Sequence, residues 1–97
     1  MVPLEGLLRG AMPELSRFFG IIIAMFFDDR NPPHFHARYG GYKASISIND
    51  FAVLEGYLPP RALGLVMEWT ELHKDELIAD WQLAKDNNAP VPIEPLK

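Results

Sequence analysis

The sequence predicts an α+β fold: a small antiparallel sheet of three to four strands with one long C-terminal helix packed on one face. Three observations carry this reading. Arg17 to Phe27 is an almost unbroken run of Phe, Ile and Met. A Gly40-Gly41 pair separates two alternating segments, the arrangement that a two-residue β-hairpin requires. From Pro59-Pro60 onward apolar residues recur at helical spacing as far as about Asp86,.

Taken in order, Met1 to Ala11 lacks an apolar signal-peptide core, because Glu5 and Arg9 interrupt it,. Met12-Pro13-Glu14 reads as an alternative start, so residues 1–11 are expected to be a disordered or mis-start extension. A single α+β domain is expected over 12–88 and a proline-rich tail over 89–97. Strand one spans Arg17 to Phe27, and both of its parities are apolar, which predicts cover on both faces. Asp28 to Pro33 is a turn, since the diproline holds the chain extended and donates no backbone N–H.

Strands two (His34 to Tyr39) and three (Tyr42 to Ile48) are set in register by the glycine pair. Tyr39 pairs with Tyr42, Arg38 with Lys43, Ala37 with Ala44, His36 with Ser45, Phe35 with Ile46 and His34 with Ser47. Alternation then places Phe35, Ala37, Tyr39, Tyr42, Ala44, Ile46 and Ile48 on a core face. His34, His36, Arg38, Lys43, Ser45 and Ser47 fall on a polar, locally cationic face. Phe51 to Leu58 reads as a weaker fourth strand. In the helix, Leu63, Val66, Met67, Thr70, Leu77, Trp81 and Ala84 form one stripe. Ala62, Leu65, Trp69 and Leu72 widen it, so the first half meets two surfaces. The tail docks through Val91, Ile93 and Leu96 or stays loose.

The composition narrows the function. The 97 residues, 48% hydrophobic and 23% charged, are globular in character. A formal net charge of −4 argues against charge-driven nucleic-acid binding, though not against a local basic patch. With no cysteine, there is no disulfide, thiolate ligand or cysteine nucleophile. That suits a cytoplasmic location, and no apolar run reaches the ~20 residues of a membrane helix.

His34-x-His36 is the sharpest chemical feature. Alternation puts both imidazoles on one strand face, a spacing suited to an acid–base pair acting on a phosphodiester. An enzyme of that kind needs a cleft over this face, with ring nitrogens pointing into it. Buried imidazoles bonded within the chain would instead be structural, His34 to the turn and His36 to Ser45. Arg38, Lys43, Ser45 and Ser47 offer phosphate or anion donors, but the register leaves this face without stacking aromatics. A metal would need further ligands, and His73 and Glu76 lie on a helix expected to cover the other face. No metal and no cofactor are therefore expected. Trp69, His73, Glu76 and Asp80 are read as a partner-facing helix flank.

Several strings together resemble one bacterial family. They are Ser16-Arg17-Phe18-Phe19-Gly20-Ile21, Phe27-Asp28-Asp29-Arg30-Asn31-Pro32-Pro33-His34-Phe35-His36-Ala37 and Gly56-Tyr57-Leu58-Pro59. Arg61-Ala62-Leu63, Trp69, His73, Glu76-Leu77 and Trp81 complete the pattern. The family is the uncharacterised domain of unknown function 4160, and the resemblance covers Met12 to Asp86. This chain has Arg30 where the family often has histidine, which removes one possible third metal ligand. The resemblance implies no established activity. It implies a bacterial or archaeal cytoplasmic protein, often encoded beside a second small domain of unknown function, family 2442, in pairs that look like toxin–antitoxin modules.

The expected function is accordingly a protein-interaction module, one member of a toxin–antitoxin-like pair. It would form a homodimer or bind a small partner protein encoded nearby, through the helix and strand one. The alternatives are a small RNA-cleaving or phosphate-acting enzyme using His34 and His36, and a metal-binding protein.

Overall fold

The computed structural model describes residues 13–97. The expectation for residues 1–11 lies outside the described residues. Five strands form one antiparallel sheet in sequence order: β1 (Glu14–Phe18), β2 (Ile21–Ala24), β3 (His34–Tyr39), β4 (Tyr42–Ser47) and β5 (Val53–Tyr57). Two helices follow, α1 (Pro60–Leu72) and α2 (Lys74–Lys85).

The single strand expected over Arg17 to Phe27 is instead a hairpin and a loop. Phe19 (φ 49°) and Gly20 (φ 80°) both take positive φ, so two residues reverse the chain and Phe18 pairs with Ile21. This turn raises the strand count from the expected three or four to five. It also explains why both parities were apolar, since the run supplies two short strands. Between β3 and β4 the register is the expected one at all six pairs.

The core face is built on Phe35, Ala37, Ala44, Ile46 and Ile48, joined by Leu15, Phe18, Ile21 and Ile23. Tyr39 and Tyr42, expected in this core, are exposed at the hairpin tip. The α1 helix covers the core face through Trp69, whose ring lies 5.5 Å from Phe18 and 5.9 Å from Phe35. Trp69 is fully buried, and its Nε1–H donates to the Glu94 carbonyl at 2.8 Å.

The one long helix expected is two helices meeting at His73 (φ −121°, ψ 23°). The sequence there holds neither glycine nor proline. The buried Thr70 Oγ1 donates to the Val66 carbonyl at 2.6 Å, a back-bond one turn up the helix that bends helices. Beyond this break α2 still contributes Leu77, Trp81 and Ala84 to the core. Trp81 on α2 packs against the His34 ring at 5.3 Å, so the second helix reaches the histidine end of the sheet.

The tail docks. Ile93 is buried and its N–H donates to the Leu15 carbonyl on the β1 edge at 2.7 Å. Val91, expected to anchor the tail by its side chain, is exposed. Its N–H donates to Asp80 Oδ1 at 2.8 Å instead. Among the described residues no helix is long and apolar enough to cross a membrane.

Candidate functional site

The site is the polar face of β3 and β4 together with the loop over 25–33 that leads into it. That loop is tied to the end of α2. The Asp28 N–H donates to the Ala84 carbonyl at 2.9 Å, and Lys85 Nζ donates to the Asp29 carbonyl at 3.0 Å. Held at these two adjacent residues, the loop turns the Asp29 carboxylate back over the strand that follows it.

Asp29 Oδ1 accepts from the Arg30 N–H at 2.8 Å. Its Oδ2 lies 2.9 Å from His34 Nε2 and 3.2 Å from His36 Nε2. His34 Nδ1–H donates to the Pro32 carbonyl at 2.7 Å, and His36 Nδ1 lies 3.3 Å from Ser45 Oγ. The two rings sit 5.1 Å apart, with the Phe26 ring edge-on to His36 at 4.7 Å. Burial pushes the Asp29 carboxyl up. The hydrogen bonds from His36 and the Arg30 amide and the neighbouring imidazoles outweigh it and leave the group below the usual carboxylate range,. Burial likewise holds the His36 imidazole below its ordinary value, against the pull of Asp29.

Beside this cluster an open cleft of about 360 Å³ is lined by Phe26, His36, Arg38, Lys43, Ala44, Ser45, Glu55 and Gly56. The expected pair of acid–base histidines is not presented to it together. His34 is buried with both nitrogens engaged, and only His36 lines the cleft. The expected anion donors also divide. Arg38 and Lys43 are exposed and directly opposite one another, while Ser45 lines the cleft. Ser47 is buried, and its hydroxyl serves Asp50, holding that carboxyl below its ordinary value.

The absence of aromatics from this face is corrected at one residue, Phe26, which closes over His36 from the preceding loop. The floor is tight: a Cβ on Gly56 would lie 2.1 Å from the Lys43 carbonyl oxygen, so only glycine lets β5 run this close to β4.

The expected partner-facing flank is dispersed. Trp69 belongs to the core, and Asp80 is buried as the tail's acceptor. His73 Nδ1 and Glu76 Oε1 are paired at 2.6 Å, distant in role from the histidine cluster. The residue that sequence reasoning missed is Asp29. Its only signal was a carboxylate five positions before His34 in a proline-constrained loop.

The family model described as domain of unknown function (DUF4160) matches residues 20–82. The chain belongs to this family. That span takes in β2, the Asp29 loop, both histidines, all of α1 and most of α2, so the cluster and its cleft lie within the family's domain. No curated protein and no solved structure matches the chain.

Proposed function

We propose that this chain is a protein-interaction module, one member of a toxin–antitoxin-like pair, which takes an extended segment of a small partner protein as a sixth strand on β5. The observation that supports this reading most is β5 itself. Among the described residues it pairs only with β4, every one of its residues is exposed, and Val53, Leu54 and Tyr57 present apolar surface. Such an edge leaves backbone donors and acceptors unpaired and templates another strand. The histidines support the same reading, because both Nε2 atoms face Asp29 rather than the cleft.

The test is co-purification of the full chain with the small protein encoded beside it. Val53→Lys with Leu54→Lys places charge on the edge without touching the core. The wild type should retain the partner and the double variant should lose it while keeping the wild-type circular dichroism spectrum. Equal retention by both, or no retention by the wild type, rejects the reading.

A second reading, a phosphate- or RNA-facing surface, is favoured by one observation. Arg38 and Lys43 stand opposite each other with no carboxylate within ion-pair distance among the described residues. Like charges in that position cost stability, which an anion in the cleft would offset. Binding of single-stranded RNA that weakens steeply with salt and falls in Lys43→Ala would support it.

A further inference from the structure

We propose that Asp29, His34 and His36 form a binding site for one divalent first-row transition metal ion, with zinc-like preference for imidazole and carboxylate ligands. The site is independent of the β5 edge and stands whether or not that edge takes a partner.

Convergence is the first support. A nitrogen from each imidazole and a carboxylate oxygen of Asp29 all lie within 4.8 Å of one another, with Nε2-to-Oδ2 separations of 2.9 and 3.2 Å. Ligand atoms held at about 2.0–2.2 Å from such an ion are separated from each other by about 3 Å. Two of the three edges of such a shell have this length, and the third lies within 4.8 Å.

Proton bookkeeping is the second support, and it is separate from the distances. The Pro32 carbonyl can only accept, so His34 Nδ1 carries a proton. That leaves Nε2 as the nitrogen turned toward Asp29 Oδ2, and one metal ion between them would engage His34, His36 and Asp29 at once. A backbone carbonyl on Nδ1 is also the outer contact that orients a ligating imidazole with Nε2 forward. Ser45 Oγ beside His36 Nδ1 can take the same role, since a hydroxyl accepts as well as donates.

The surroundings restrict the ligands further. Trp81 and Phe26 hold the two rings in place, and the Arg30 amide occupies Asp29 Oδ1, leaving Oδ2 for the imidazoles. Two imidazoles and one carboxylate suit zinc, iron(II), cobalt(II) or nickel(II) and disfavour magnesium and calcium. Three protein ligands leave at least one position for water or an exogenous ligand. Because His36 belongs both to the cluster and to the wall of the cleft, an anion held by Arg38 and Lys43 would lie beside the metal.

The experiment is titration of the chelator-treated full chain with Zn²⁺, with Mg²⁺ as the control, followed by Co²⁺ absorption spectroscopy to report nitrogen and oxygen ligation. Saturable binding of one Zn²⁺ per chain is expected, with no comparable Mg²⁺ binding. Asp29→Asn and His36→Gln should each weaken Zn²⁺ affinity more than about tenfold, while His73→Ala leaves it unchanged. Both ligand variants keep the size of the native side chain, and each is compared with wild type only where its circular dichroism matches. Should both misfold, retention of Zn²⁺ by His73→Ala decides against adventitious binding at the His73–Glu76 pair. No saturable Zn²⁺ binding by the wild type, wild-type affinity in a folded Asp29→Asn or His36→Gln, or loss of binding in His73→Ala overturns the proposal.

Discussion

The two faces of this sheet are made by the same strands and have opposite uses. On one face Phe35, Ala37, Ala44 and Ile46 meet α1 and are buried. On the other, one residue away at every step, stand His36, Arg38 and Lys43 beside a cleft. The buried face holds groups whose contacts are complete: Trp69 fills the space between Phe18 and Phe35, and its N–H is bonded. The open face holds two opposed cations and a carboxylate aimed at two imidazoles. Stability is concentrated on the first face, and the unspent polar chemistry is left on the second.

This contrast is most directly broken at Trp69. Trp69→Ala removes two aromatic contacts and the hydrogen bond to the tail, and it should cost about 3–5 kcal/mol, measured by chemical denaturation. A cost below about 1 kcal/mol would mean that α1 is not the main cover of the core face.

Asp80 sharpens the contrast, because it is a charge on the buried side. Burial pushes its carboxyl above the ordinary value, the Val91 N–H opposes this, and Glu76 adds to the rise. Its Oδ2 has no hydrogen-bond partner among the described residues. A carboxyl with a raised folded value favours folding while protonated. That contribution is present below the ordinary carboxylate range and is lost as pH rises through the raised value. Asp80→Asn cannot ionise, so its stability relative to wild type should climb across that window. Thermal melts stepped from acid to neutral pH measure the climb, and a constant difference would count against a protonated Asp80 in the fold.

The smallest effect is expected on the open face. Lys43→Ala relieves the opposition with Arg38 and should change stability by no more than about 0.5 kcal/mol, in the stabilising direction at low salt. A clear loss of stability would show that Lys43 is part of the framework rather than a free donor.

What the sequence made legible follows the same division. The β3–β4 register could be read because Gly40-Gly41 leaves one economical hairpin, and alternation then sorts both faces. The β1–β2 hairpin could not, because its turn begins at Phe19, a bulky residue at positive φ that carries no turn signal. The break at His73 was illegible for a similar reason: it falls at neither glycine nor proline, and the Thr70 back-bond to Val66 beside it leaves no mark on periodicity. For the candidate site, His34 and His36 were visible as a pair on one face, and Arg38 and Lys43 as its cations. Asp29 was not, because its position depends on α2 holding the loop through Ala84 and Lys85, some fifty-five residues later in the chain. The sequence offers the metal alternative no third ligand on the histidine face, and this long-range contact is what brings the Asp29 carboxylate there.

The tail along β1 has a consequence for stoichiometry. Of the two edge strands, β1 has the tail bonded to it at Leu15, in a segment where Pro90, Pro92 and Pro95 offer no N–H to a further strand. Among the described residues the β5 edge is unpaired. A filament needs two free edges on every copy, one to receive and one to extend. With the β1 edge covered, a second copy joined at β5 would leave only covered edges facing outward, so self-association through this surface would stop at a pair.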